Sequence, residues 1–322
     1  MIQRRLGING PLVSPVGLGT MSWPGCRFGH CNTPDHRISP FEAAAMVRTA
    51  LDLGITLFDT AEGYGCGLAE EHLGAALKDA GNPDGVTIVT KIGPLFDIEK
   101  VDGRGCNLSR EHLFERVELS LRRLQVDRLD VLLAHWPDPV TPIDETMHAI
   151  ADLKRCGKVI HFGVSNFPNA LLASALACGP VICNQLPCSL ADRSIEDGRR
   201  AFCLENQIGI MAYSPIGKGV LSGRYDTNHL PAAKDYRNQR PHFRENFESN
   251  LRIVARLREL AHDFSTSPVA VALAWTLHLP GITMAIPGAK SPAQIQDHVA
   301  AVELLSKPTL RNALDTLFST TV

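Results

Sequence analysis

Hydrophobic positions along the chain fall into two alternating rhythms. Short β-rich runs recur at Val16–Leu18, Ile55–Phe58, Val86–Thr90, Leu129–Ala134, Ile160–Val164, Val181–Asn184, Ile210–Tyr213 and Thr283–Ile286, and each reads as a strand. Between them lie longer segments with apolar residues three and four apart, which predict helices over Pro40–Leu53, Ser109–Leu124, Pro142–Cys156 and Ile195–Asn206. Punctuation agrees: Ser39-Pro40 and Ser109 with Glu111 stand at helix starts, and Gly54 and Gly157 stand just past helix ends. A hairpin is predicted at the front, Gln3–Leu6 against Leu12-Val13, turning at Asn9-Gly10-Pro11.

Strands that each lead into a helix make a parallel sheet, and eight such units can close on themselves. The expected fold is therefore α/β, an (α/β)8 TIM barrel with an N-terminal β-hairpin and extra C-terminal helices, in a single domain over 1–322. An open doubly wound sheet would be expected to carry Gly-x-Gly-x-x-Gly at its first turn, but Gly17-Leu-Gly19 runs on into Thr20 and Met21. A polar stretch from Gly217 to Glu245 and the helices Asn246–Asp263, Pro268–His278 and Pro308–Phe318 lie outside the bare repeat. Structureless segments of that length are commonly functional, and this one follows strand seven, where barrels favour phosphate.

Composition narrows the classes. With 44% hydrophobic and 20% charged residues the chain has the balance of a globular protein. A net charge of -2 carries no basic excess for nucleic acid. There is no run of 18 apolar residues for a membrane span and no apolar leader at the start, so a cytoplasmic location is expected. Nine cysteines are scattered, with Cys178, Cys183 and Cys203 in apolar surroundings, and they read as reduced buried thiols. Cys26, Cys31, Cys66 and Cys106 fall in loops, with His30 beside Cys31, but their spacing matches no zinc-ligand pair and no metal is expected.

Chemistry gathers at the strand ends. Asp59, Lys91 and His135 close the second, third and fourth runs, and Tyr64 follows Asp59 in the next loop. On a barrel these ends share one mouth. A phenol has an ordinary pKa of about 10, and a neighbouring ammonium lowers it. Tyr64, with Lys91 and Asp59 behind it, is thus an acid/base candidate for a carbonyl or alcohol oxygen, and His135 can orient that oxygen. Such a site supplies no electrons, so a redox role needs a bound hydride donor.

At these residues the chain resembles the aldo-keto reductases over nearly its whole length. The matching motifs are Gly17-Leu-Gly-Thr20, Phe58-Asp-Thr-Ala-Glu-Gly-Tyr-Gly65 with Glu70-Glu-His-Leu-Gly74, Thr90-Lys91, and His135-Trp-Pro-Asp138. They continue with Gly163-Val-Ser-Asn166, Asn184-Gln185, Tyr213-Ser-Pro-Ile-Gly-Lys-Gly219 and Ile286-Pro-Gly-Ala-Lys290. The resemblance implies a barrel that binds NADP(H), with NAD(H) as the alternative, and a catalytic tetrad of Asp59, Tyr64, Lys91 and His135. It implies a carboxamide site at Ser165, Asn166 and Gln185 and a stacking ring at Tyr213. Thr20, Ser214, Ile216, Gly217, Lys218 and Arg224 would accompany these along the cofactor.

Gly288, Lys290 and Gln294 correspond to the family's 2′-phosphate site. Asp297-His298 replaces its adenine-facing Glu-Asn pair, which loosens the cofactor assignment. Trp23, Phe96 and Trp136, with Tyr64 and His135, are expected to line the substrate mouth. The details resemble the potassium-channel β-subunit and sugar-dehydrogenase branches. The implied activity is carbonyl reduction, the alternatives being an aldose or alcohol dehydrogenase and a cofactor-sensing regulatory subunit. The expected partner is a small carbonyl or alcohol compound; neither nucleic acid nor membrane is expected, and oligomeric state is left open.

Overall fold

The computed structural model describes residues 1–24, 38–96, 104–233 and 235–318. Eight parallel strands form the centre: β1 (Leu18–Gly19), β2 (Leu57–Asp59), β3 (Thr87–Ile92), β4 (Leu129–Ala134), β5 (Val159–Ser165), β6 (Cys183–Pro187), β7 (Gly209–Tyr213) and β8 (Ile282–Ile286). They pair in chain order. The ring closes where β1 meets β8: Val16 bridges Ala285, Gly19 bridges Gly288, and the Gly17 N–H donates to the Ala285 carbonyl at 2.9 Å. Helices alternate with the strands: α1 (Pro40–Asp52), α2 (Leu68–Asp79), α3 (Arg110–Leu124), α4 (Ile143–Arg155), α5 (Asn169–Cys178), α6 (Arg199–Glu205), α7 (Phe247–Asp263), α8 (Pro268–His278), α9 (Pro292–Leu304) and α10 (Pro308–Phe318). The expected barrel is the fold.

Strand periodicity explains how the site is placed. Successive side chains face opposite sides of a strand. On β2 and β3, Leu57 and Val89 point into the barrel, where they pack with Val131, Leu133, Ile182, Met211 and Met284. Two residues further, on the same inner face, stand Asp59 and Lys91. Phe58 and Ile88 point outward into the larger core beneath the helices. Leu6 and Val13 of the N-terminal hairpin (Arg4–Arg5 with Leu12–Val13) join the interior cluster and floor the barrel. Arg4 holds that hairpin to the wall, its guanidinium donating to the carbonyls of Leu277 and Ile282, each at 3.1 Å.

Several boundaries differ from the sequence reading. Strand ends move by at most three residues, β4 keeps its expected bounds, and β3 runs past Lys91 to Ile92. Ser39 builds a full capping box with Glu42 on α1, whereas the Ser109 side chain makes no capping bond; Asn107 Oδ1 accepts the Ser109 N–H instead, at 2.9 Å. The single helix expected at Ile195–Asn206 is a 3-10 turn at Ser194–Glu196 followed by α6, because Gly198 between them adopts φ 106°. Within Gly217–Glu245 the described residues form 3-10 turns at Gly217–Ser222, Tyr236–Gln239 and Pro241–Phe243.

A second hairpin, Pro94–Phe96 against Arg104–Cys106, was not foreshadowed by any alternation in the sequence. Cys183 and Cys203 are buried, as expected, but Cys178 at the end of α5 is exposed. Cys26, His30 and Cys31 lie outside the described residues. Among the described residues no helix is long and apolar enough to cross a membrane, and no cluster of three metal-ligating side chains occurs.

Candidate active site

Lys91 organises the mouth. Its ammonium, fully enclosed, donates to Asp59 Oδ1 at 2.7 Å, to the Thr60 carbonyl at 2.7 Å and to the Tyr64 hydroxyl at 3.2 Å. An ammonium has three protons, and all three are directed by this geometry. Burial alone would push Lys91 down; the Asp59 carboxylate, together with the Tyr64 oxygen, reverses that and holds it above its ordinary value. Asp59 is lifted by burial and pulled back by Lys91 and by the Gln185 amide, which donates to Asp59 Oδ2 at 2.7 Å. With both carboxylate oxygens accepting short hydrogen bonds, the pair stands as an ion pair with Lys91 protonated.

His135 lies immediately past β4. Its ring meets Tyr64 edge-on, with centroids 5.9 Å apart, and stacks against Trp136 at 6.4 Å. Burial, reinforced by the Lys91 charge, pushes the imidazole well below its ordinary pKa, so it is neutral at neutral pH. The structure thus brings Asp59, Tyr64, Lys91 and His135 together at one rim.

Beyond His135 the rim becomes a polar shelf. Ser165 Oγ donates to the Gln185 carbonyl at 3.0 Å. The Asn166 amide donates to Ser165 Oγ at 2.9 Å and accepts from the Tyr213 hydroxyl at 3.0 Å. Ser214, Gly217, Lys218 and Gly219 of the loop after β7 have φ between 51° and 97°, as does Asn166 at 62°, and the two glycines leave that loop's backbone open to close approach by a phosphate. Amide groups, a half-buried phenol face and this loop are what a nicotinamide, its ring and a pyrophosphate would need, so the residues present fit such a cofactor.

Other residues expected here are placed less simply. Thr20 is wholly buried, and both its N–H and its hydroxyl go to the Asp59 carbonyl, at 2.9 and 3.1 Å. Ile216 packs on the core. Arg224 is exposed above the Tyr225 ring. Gly288 bridges Gly19, and the Lys290 N–H donates to Gln294 Oε1 at 2.8 Å, tying Gln294 to the start of α9.

Two placements correct the sequence reading. His298 does not offer its ring to an adenine from an open surface: it is 3% exposed. Ile295, His298, Ala301 and Leu304 form the buried face of α9, a spacing visible in the sequence, while neighbouring Asp297 stays part-exposed. Trp23 is wholly buried in the main core and does not form an open aromatic wall. Trp136 is half-buried beside His135. The Phe96 side chain lies outside the described residues.

The sequence matches the model of the aldo/keto reductase family over residues 15–315. The chain belongs to the aldo/keto reductase family. An aldo-keto reductase of Bacillus subtilis, YhdN, is 34% identical over 289 residues, 88% of this chain and 83% of that protein. An uncharacterized oxidoreductase of Mycobacterium tuberculosis, Rv2298, is 36% identical over 94% of this chain and 88% of its own length. Among solved structures, the glycerol dehydrogenase AKR11B4 of Gluconobacter oxydans superposes with a TM-score of 0.85 at 29% identity, covering 99% of this chain and 96% of that one. The aldo-keto reductase AKR11C1 of Bacillus halodurans in its holo form gives 0.77 at 27% identity, covering 100% and 98%. As an aldo/keto reductase the chain is an NAD(P)H-dependent oxidoreductase.

Sequence reasoning missed what lies behind the tetrad. Glu62, 1% exposed, accepts from the Gly93 N–H at 3.0 Å and from Arg116. Glu70, 0% exposed, accepts from Thr90 Oγ1 at 2.6 Å and from Arg123 at 3.2 Å. In the sequence both stand as acids among mostly small residues, which does not by itself mark them as buried.

Proposed function

We propose that this aldo/keto reductase reduces aldehydes or ketones with NADP(H), Tyr64 acting as the general acid. The observation that carries the reading is the three-way donation of Lys91. A phenol oxygen that accepts from an ammonium releases its proton more readily, because the phenolate left behind is stabilised. Asp59 and the Thr60 carbonyl keep that ammonium in place. His135, neutral, hydrogen-bonds the carbonyl oxygen and orients it toward Tyr64 without adding a second cation beside Lys91. A nicotinamide, when bound, would supply the hydride that carbonyl reduction needs. Ser165, Asn166, Gln185 and Tyr213 would hold it, with Ser214, Gly217, Lys218 and Arg224 along the phosphates.

NADP is favoured over NAD by Lys290, a cation beside the helix start at Pro292, which together suit a 2′-phosphate. The cytoplasm is the proposed location, on the seven described cysteines that are all free thiols.

Replacing Tyr64 by Phe removes the proton donor and leaves the ring. We expect kcat for aldehyde reduction to fall by about a hundredfold or more, with NADPH affinity, read by tryptophan fluorescence, within about twofold. Retained turnover would refute the role. A second reading, alcohol oxidation with Tyr64 as base, is favoured by the likeness to a glycerol dehydrogenase. Initial rates in both directions, with both cofactors and a panel of aldehydes, sugars and polyols, decide between them.

A further inference from the structure

The loop that carries Tyr64 is stitched to the strand that carries Lys91. Backbone bonds begin it: the Thr60 N–H donates to the Val89 carbonyl at 2.8 Å and the Glu62 N–H to the Lys91 carbonyl at 3.1 Å. Side chains complete it at both ends. Glu62 Oε1 takes the N–H of Gly93, just past β3, at 3.0 Å. Glu70, on the first turn of α2, takes the hydroxyl of Thr90 at 2.6 Å. Lys91 therefore lies between two points at which a buried carboxylate grips its own strand.

Each carboxylate is braced from outside by an arginine of α3. Arg116 pairs with Glu62, and Arg123 donates to Glu70 Oε2 at 3.2 Å. The two arginines are seven residues apart, so they leave the same face of one helix. Arg123 also lies against the Tyr64 loop: a Cβ on Gly67, at φ 95°, would come within 2.3 Å of its Nε. Burying a carboxylate is costly, and it is sustained only where pairing and hydrogen bonds complete its needs. Glu62 meets that condition with one partner on the Lys91 strand and one on α3. Neither partner is a group of the mouth itself.

We propose that the Glu62–Arg116 pair is a positioning device for the general acid, fixing the Tyr64 oxygen within reach of the Lys91 ammonium. This rests on Tyr64 being the proton donor. Displacing a reacting group by about 1 Å can cost two orders of magnitude in rate, and the stitch acts on that separation. Loosened, the loop would carry the phenol away from the ammonium, and its proton would be held more tightly.

The test reads the phenol directly and the reaction separately. Tyrosinate absorbance near 295 nm, with Tyr64→Phe in the same background as the blank, isolates the Tyr64 titration. Glu62→Gln keeps the shape and an acceptor for Gly93 but removes the charge facing Arg116. We expect its Tyr64 titration to move upward by about half a unit or more and kcat to fall about tenfold, with NADPH affinity unchanged. Arg116→Met should do the same, and Arg116→Lys, which restores a cation, should recover part of both. If Glu62→Gln does not fold, the Arg116 pair decides alone. An unmoved titration overturns the proposal, whether kcat is retained or falls together with cofactor affinity. A wild-type protein without turnover would refute the functional reading, while the absorbance titration would still decide whether the pair positions Tyr64.

Discussion

At the scale of single residues, burial decides which charges the protein can carry. His298 is enclosed on the core face of α9, and burial lowers it from 6.5 to about 4. The unfolded chain takes up that proton as pH drops through about 6.5, whereas the folded chain resists until about 4. Stability is therefore whole above the ordinary histidine range and is lost progressively between those two values, by roughly 3 kcal/mol in all. Urea unfolding of wild type and His298→Leu at pH 7 and 4.5 checks this: the wild type should lose more on acidification. Asp59 and Lys91 were legible because strand alternation fixes direction, Lys91 sharing a face with Val89 and Asp59 with Leu57, whereas Tyr64 and His135 were legible only from their places just past strand ends. The interiority of His298 was legible too, in its three-residue spacing from Ile295 and Ala301, but it competes with a family correspondence at the same position. Glu62 could not be read as buried, since nothing in a sequence announces that Arg116, 54 residues away, will meet it.

At the scale of elements, packing overrides local propensity. Gly74 lies within α2, where an alanine in open space would stabilise the helix by about 1 kcal/mol. Here a Cβ would come within 2.5 Å of the Leu124 carbonyl and 2.8 Å of that of Arg123 at the end of α3. Neither is a flexible tip, so Gly74→Ala should destabilise by about 1–3 kcal/mol, measured by urea unfolding. An increase in stability would show that α2 and α3 can separate freely. The same contrast explains which elements were readable. Helices α8 and α10 have the predicted bounds because Pro268 and Pro308 mark their starts. The Pro94–Phe96 hairpin escaped notice because a proline and a glycine-bearing partner break any alternation.

At the scale of the whole molecule, the barrel is stoppered from below. Leu6, fully enclosed, rises from the N-terminal hairpin into the interior apolar cluster. Gly7 fits beneath β6 with so little room that a Cβ would come within 2.0 Å of the Ile182 carbonyl. Leu6→Ala should cost about 2–5 kcal/mol in thermal or urea unfolding yet leave kcat of the folded fraction unchanged, since the mouth is at the opposite end. A drop in kcat without loss of stability would mean the floor and rim are coupled. Closure itself was legible from eight repeats of strand and helix; the role of the hairpin was not, because two short strands say nothing about which opening they cover.

That stopper has a consequence for proton traffic. Below Lys91 and Asp59 the cylinder holds Leu57, Val89, Val131, Leu133, Met211 and Met284, which cannot relay a proton, and Cys183, whose thiol burial holds against ionisation. The cylinder is thus a cul-de-sac. On the proposed mechanism, a hydrogen given up by Tyr64 would have to be restored from the solvent side, through the entrance that substrate and cofactor would share, so recharging the acid would be tied to their departure.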